Sequence, residues 1–97
     1  IPMNYYFEWM KEEERKVRYT LQPVRHESSF LAGIYRSEAS GPVFSVLTRE
    51  PIPEIRHIHD RMPVIFAPDV AHDWLNLRYD SNELLKYALS DLSFHRA

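Results

Sequence analysis

The sequence predicts an α+β fold: a strongly curved, mostly antiparallel sheet flanked by helices. Three observations predict it. Aromatic and β-branched runs with period-two alternation fill the first half. Prolines at 51, 53, 63 and 68 punctuate the middle and keep any helix there short. Apolar residues at helical spacing occupy the end, so the order is strands first and helices last.

Each element has its own local reason. Residues 4–10 (NYYFEWM) read as a strand with Tyr5, Phe7 and Trp9 on one face and Tyr6, Glu8 and Met10 on the other. Lys11 to Lys16 is a charged run that reads as a solvated turn. Val17 to Leu21 alternates apolar and polar, which completes a hairpin. Pro23 to Ser29 is expected as a loop, Phe30 to Tyr35 as a third strand, Ser37 to Gly41 as a turn and Val43 to Thr48 as a fourth strand. A short helix is expected to begin near Pro53. Pro63 biases Met62 to an extended conformation, and Val64-Ile65-Phe66 reads as a brief buried strand. Pro68-Asp69 opens a helix with Val70, Ala71, Trp74 and Leu75 on one face. Asp80, with Glu83 three residues on, resembles a capping box. Leu84, Leu85, Ala88, Leu89 and Leu92 form the stripe of a last helix, and His95-Arg96 reads as a frayed end.

Composition bounds the rest. A chain of 97 residues allows one small domain or a piece of a larger one. Hydrophobic residues make up 44% and aromatics 13%, which is globular rather than disordered. The chain holds no cysteine, which excludes a disulfide scaffold, a Cys-ligated zinc and a thiol nucleophile from within it. No apolar run approaches the ~20 residues of a membrane span. No signal-like segment opens the chain, so no membrane partner is expected and nothing points outside the cell. Net charge is −2, so nucleic-acid binding would need a local cationic patch. The opening Ile1-Pro2-Met3 suggests a processed or truncated product.

Three groups of residues could carry chemistry. Glu8 lies among aromatics, where a carboxylate can act as a general acid or base; the alternative is that it points to solvent from a two-faced strand. His59-Asp60-Arg61 sits between Ile58 and Met62. There, His59 could move protons and Arg61 could hold a phosphate; the alternative is a structural Asp60–Arg61 pair. His57-x-His59 on a strand would share a face and could bind a metal, with further ligands from Glu8, His26 or His72, though none has diagnostic spacing. Arg15, Lys16 and Arg18 read as ordinary surface. No Ser-His-Asp signature, phosphate loop or dinucleotide fingerprint appears.

Five segments, in order, resemble the SRAP family (SOS response-associated peptidases, or abasic-site processing proteins). Pro2-x-x-x-Tyr6-Phe7-Glu8-Trp9 resembles its P-x-x-G-F-Y-E-W segment. Phe30 to Tyr35 resembles its FAGLW strand, and Phe44 to Glu50 resembles FTILTTE. Ile58 to Ile65 (IHDRMPVI) matches its most specific signature nearly letter for letter. Asp73-Trp74-Leu75 matches the helix that follows. The resemblance covers about the first 90 residues and implies that residues 1–97 are the carboxy-terminal part of a single SRAP domain. It implies a sensor of abasic sites in single-stranded DNA, with no metal and no cofactor, cytoplasmic and nucleoid-associated if bacterial. In the family, an amino-terminal cysteine, exposed by removal of the initiator Met, forms an imine with the abasic aldehyde and closes a thiazolidine. Related chemistry cleaves the strand as a lyase. By this resemblance Glu8 and His59 are the catalytic proton-transfer residues, and Arg61, Trp9 and Thr48 contact DNA, with Trp9 lining the same pocket.

This sequence departs from the family's pattern at several points. The cysteine is absent, as is the family's amino-terminal half. Tyr5 replaces a glycine, and Ile34-Tyr35 replaces Leu-Trp. The missing half would expose sheet edges and invite homodimerisation. Two other readings stand beside crosslinking by the intact protein, for which this chain alone would be inactive. One is a truncated or degenerate module that binds single-stranded DNA without covalent chemistry. The other is an unrelated hydrolase using Glu8 and His59 with a metal or water.

Overall fold

The computed structural model describes residues 1–26, 28–76 and 79–97. Glu27, inside the loop expected over 23–29, lies outside them. Among the described residues, ten strands and two short helices appear in the order β1 (Pro2–Met3), β2 (Tyr6–Glu12), β3 (Arg15–Pro23), β4 (Ser29–Leu31), β5 (Gly33–Glu38), β6 (Gly41–Val46), β7 (Thr48–Arg49), β8 (Met62–Pro63), β9 (Ile65–Phe66), α1 (Pro68–Trp74), α2 (Ser81–Leu84) and β10 (Leu92–Arg96). Short 3₁₀ turns cover Pro53–Ile55 and Leu85–Tyr87. All strand pairs are antiparallel, in the orders β1-β4-β9, β10-β3-β2, β5-β6 and β7-β8. The α+β expectation holds. No helix among the described residues is long and apolar enough to cross a membrane.

The β2–β3 hairpin is longer than its charged turn suggests. Glu12 pairs with Arg15, so only Glu13 and Glu14 remain in the loop. Glu13 takes φ 50°, as the first position of a tight hairpin turn requires. The expected alternation on β2 holds. Tyr6, Glu8 and Met10 are half-buried, and Phe7 and Trp9 are exposed.

The third and fourth strands are each broken once, at Ala32 and at Leu47. A third break falls at Val64, between β8 and β9. These breaks meet. The Ala32 N–H donates to Val64 O, the Leu47 N–H donates to Ala32 O, and the Val64 N–H donates to Leu47 O, each at 2.9 Å. This closed ring joins three ladders, β4–β9, β5–β6 and β7–β8, at one buried node. Ala32, Val64 and Phe66 are buried there under Val70, Ala71 and Trp74 of α1. The indole Nε1–H of Trp74 donates to Gly33 O at 3.3 Å.

The main core lies between the inner face of β10-β3-β2 and the segment that leads into β8. Met3, Leu21, Ile52, Ile55, Ile58, Met62, Ile65 and Leu92 form it, with Tyr6, Met10 and Tyr19 packed against it.

Four expectations are corrected at the end of the chain. Leu75 is 82% exposed, because the helix ends at Trp74 before Leu75 can join its buried face. The long last helix does not form. Only Ser81–Leu84 is α-helical, with Asp80 accepting from the Asn82 N–H at 2.9 Å as its cap. Glu83 does not close a capping box; its carboxylate accepts from Lys86 instead. Leu89 N–H donates to Ile65 O and Val24 N–H donates to Asp91 O, which draws the chain out of the helix. Leu92, His95 and Arg96 belong to β10, paired residue by residue with β3 from Leu92↔Pro23 to Arg96↔Tyr19. His95-Arg96 is therefore not a frayed end.

If the node organises the fold, the amides of Ala32, Leu47 and Val64 should exchange hydrogen only through global unfolding, while those near the Ala39-Ser40 turn exchange much faster. Residue-resolved hydrogen exchange checks this. Node amides exchanging as fast as the hairpin tip would remove the node from that role.

Candidate active site

The spacing of apolar residues builds the site. Ile55, Ile58 and Met62 are 2%, 4% and 1% exposed, and they pin the segment after the 3₁₀ turn to the core. Ile58 N–H and His59 N–H both donate to Ile55 O, at 2.9 and 3.3 Å. With Ile58 and Met62 held inside, His59, Asp60 and Arg61 are left on the surface between them. β2 lies at the edge of its sheet, and the Glu8 side chain leaves from the core-facing side. Two segments about fifty positions apart in sequence therefore meet.

His59 Nε2 lies 3.8 Å from Glu8 Oε1, with side chains 43% and 26% exposed. The site is an open ledge rather than a closed cavity. A substrate oxygen or nitrogen seated ~2.8 Å from both atoms fits over that separation, so one reacting atom can touch both groups. On its other side, His59 Nδ1 accepts from Arg61 N–H at 3.2 Å. That role requires the tautomer with hydrogen on Nε2, directed toward Glu8. When the ring is doubly protonated, Nδ1–H has Arg61 O at 3.2 Å and Asp60 Oδ1 at 3.3 Å as acceptors. Both protonation states have partners, so the ring can exchange a proton without being displaced.

Glu8 Oε1 also accepts the Trp9 N–H at 3.2 Å. Burial first, and the Glu8 charge second, hold the Tyr6 phenol well above its usual range. Tyr6 thus stays protonated beside the carboxylate.

Arg61 turns toward the neighbouring strand. Its Nε and Nη2 donate to Thr48 Oγ1 at 3.3 and 3.2 Å. Thr48 is fixed there because β7 pairs with β8, Thr48↔Pro63 and Arg49↔Met62. The Asp60–Arg61 pair does not form; Asp60 lies against His59 instead. Among the described residues no carboxylate lies within ion-pair distance of Arg61. Its charge is free to meet an anion.

The structure thus brings Glu8, His59, Arg61 and Thr48 to one side of the molecule. It does not bring the Trp9 ring to the Glu8–His59 ledge. Alternation sends that ring out of the opposite face of β2, beside Arg18, whose guanidinium carbon is 6.0 Å from the ring centre. The expected His57–His59 strand pair is also corrected. Both residues lie around a turn, and His57 packs edge-on against Phe94 with ring centres 5.4 Å apart. Among the described residues no cluster of metal-ligating side chains forms. Sequence reasoning missed Asp60 as the partner of His59 Nδ1, whereas the shared face of Tyr6 and Glu8 already set those two side by side.

A family model described as SOS response associated peptidase (SRAP) matches residues 1–96. The chain is 31% identical to YoaM of Bacillus subtilis, named an abasic site processing protein, over 95% of this chain and 49% of that protein. It is 28% identical to YedK of Escherichia coli, also named an abasic site processing protein, over 88% of this chain and 40% of that protein. The chain spans about half the length of the curated relatives it matches or less. Among solved structures, a protein from Bacteroides thetaiotaomicron superposes with a TM-score of 0.79 at 23% identity, over 99% of this chain and 47% of that one. A phage-related protein from Bordetella bronchiseptica superposes with a TM-score of 0.78 at 19% identity, over 100% and 51%. These two likenesses are of fold.

Ion pairs this exposed contribute at most ~1 kcal/mol, whereas truncating a buried Ile removes ~2–5 kcal/mol. Glu8→Gln is therefore expected to change unfolding free energy by less than ~1 kcal/mol and Ile58→Ala by ~2–4 kcal/mol. Urea denaturation compares them. A large loss for Glu8→Gln would make the carboxylate a structural group.

Proposed function

The chain belongs to the SOS response associated peptidase (SRAP) family, and from that premise we propose that it is the carboxy-terminal part of one SRAP domain. In the intact form, that domain captures abasic sites in single-stranded DNA. The observation that carries this reading is the approach of Glu8 to His59 at 3.8 Å, with an unneutralised Arg61 beside them.

The chemistry follows from the lesion. An opened abasic sugar presents an aldehyde. An amine attacks its carbon, the C=O bond becomes a C–O(H) single bond, and the ammonium must lose a proton. Loss of water then forms the C=N bond, and the departing oxygen must gain a proton. One group has to accept and one has to donate, at atoms close to each other. Glu8 is assigned the proton leaving the amine. His59 is assigned the proton delivered to the sugar oxygen. A thiol that then adds across the C=N bond transfers its proton to nitrogen and closes a thiazolidine. Amine and thiol both come from an amino-terminal cysteine of the intact polypeptide, since none occurs among these residues. Arg61, steadied by Thr48, is assigned to a flanking phosphate. That contact positions the strand and carries no sequence preference. Positioned proton transfer contributes ~10²–10⁴-fold, the share asked of Glu8 and His59 together.

A second reading is a module that binds single-stranded DNA without covalent chemistry. These 97 residues hold no cysteine, and on this reading they contact DNA without forming a bond to it.

In the intact polypeptide, Glu8→Gln and His59→Ala are each expected to slow crosslinking to an abasic oligonucleotide by at least ~10²-fold. Denaturing gels over time read this directly. Unchanged rates in both variants would defeat the role assignment. Arg61→Gln should instead weaken binding to all abasic oligonucleotides alike and lower the salt slope by ~0.7, measured by anisotropy across salt concentrations.

A further inference from the structure

The β5–β6 hairpin leaves the node as a two-stranded ribbon. Among the described residues no third strand pairs with either of its edges. Its backbone groups can be assigned to their sides. Ala32 O accepts from the Leu47 N–H on the β6 side, and the Trp74 indole reaches Gly33 O from the other. Alternation then turns the N–H and C=O groups of Ile34, Arg36 and Glu38 toward β6 and those of Tyr35 and Ser37 away from it. Trp74 covers the outer edge of β5 at Gly33, and the edge is open from Tyr35 onward.

The two edges of the ribbon differ. Sheet edges are commonly blunted by proline or by unpaired charge. β6 carries Pro42 opposite Ser37, and its missing N–H falls on the outer side. β5 has no proline, and its two charges neutralise each other, with Arg36 Nε donating to Glu38 Oε1 at 2.7 Å. Its side chains are as open as its backbone. Tyr35 stands directly across from Phe44, and the two are 76% and 51% exposed.

The chain also exposes more surface than its size requires. Its accessible surface is 7150 Å², against ~5,800 Å² for a self-contained monomer of 11.6 kDa. Its radius of gyration is 14.7 Å, against ~12.5 Å for a compact chain of 97 residues. The excess area is larger than the ~800 Å² that each partner gives to a standard interface.

We infer that a second copy of this chain covers the open edge of β5, by antiparallel pairing of β5 with β5 about a two-fold axis through Ser37. The sequence is self-complementary in that register. The outward N–H and C=O of Ser37 meet those of Ser37 in the second copy, and Tyr35 falls opposite Ala39. Arg36 falls opposite Glu38 of the second copy, twice over, so both charges gain a partner across the axis. An axis through Arg36 would set two guanidiniums opposite each other. An axis through Tyr35 would bring the second copy against Gly33, where Trp74 already sits. The product is a four-stranded sheet with Pro42 on each outer strand, so pairing stops at two copies. The inference stands on the ribbon alone and not on the function proposed above.

The test is sedimentation equilibrium of the 97-residue chain at up to ~1 mM, where even a weak specific pair is populated. The parent is expected at twice its 11.6 kDa mass. Ser37→Pro removes only the outward N–H, leaves the bonds to β6 in place and is expected to weaken dimerisation at least ~tenfold. Arg36→Glu sets like charges opposite each other and is expected to weaken it too, and adding Glu38→Arg restores it. Far-UV circular dichroism confirms that each variant is folded, and the Arg36 and Glu38 variants carry the test if Ser37→Pro is not. A parent of monomer mass throughout overturns the inference. So does a dimer whose affinity is unchanged in the folded variants, which places the second copy elsewhere. A monomeric parent whose β5 amides gain protection from hydrogen exchange only within a longer polypeptide gives the edge to a segment of that polypeptide, and overturns the inference as well.

Discussion

The ring of hydrogen bonds through Ala32, Leu47 and Val64 is the constraint on which the rest of the structure depends. Each of these residues interrupts a strand, and an interrupted strand in a protein interior leaves backbone groups that must be paired. Pairing them with one another satisfies three donors and three acceptors at once. It also forces three ladders to leave the same point in different directions. Ala32 is 1% exposed, and its small side chain leaves room for Val64 and Phe66 to close over the ring with Trp74 of α1. An unpaired buried amide would cost ~1–3 kcal/mol, so the node is stable only as a closed set.

The ledge inherits its geometry from that node by short connections. Thr48 follows Leu47 directly, and Met62-Pro63 precede Val64. The β7–β8 pairing thus fixes Thr48 against the stretch that carries Arg61. Met62 and Ile58 then fix where the chain surfaces, and His59 emerges opposite Glu8. The apolar anchors hold the turn with several kcal/mol, while the polar contacts between site residues add ~1 kcal/mol or less each. Glu8 and His59 are therefore held in place by their neighbours and remain available to a third partner.

Much of this was legible in the sequence where the controlling interactions are local. Period-two alternation gave the two faces of β2 and placed Tyr6 with Glu8. Pro53, Pro68 and Asp80 marked helix starts and caps where the structure has them, and Pro63 marked the extended Met62-Pro63. Non-local backbone bonds were not legible. Nothing in residues 30–35 or 43–48 says that Ala32 and Leu47 leave their strands to meet Val64. Leu84 to Leu92 has a helical stripe, yet the bond from Leu89 to Ile65 outweighs that propensity and sends the chain into β10. Arg18 reads as plain surface until hairpin register sets it opposite Trp9. The site itself was legible as residue types within segments; their meeting across the core was not.

The same logic accounts for how a chain of net charge −2 can carry a face whose charges all have one sign. Strand β2 is two-sided, and its sides carry opposite chemistry. The inner side holds Glu8 and Glu12, the latter paired with Arg96 at 2.9 Å. The outer side carries Lys11 across from Lys16 and aromatics beside Arg18. Net charge averages over both sides and so conceals the segregation. The substitution of Tyr5 for the glycine of the family's motif falls on the outer side. There it adds a ring beside Phe7 and leaves the inner face, with Glu8, untouched.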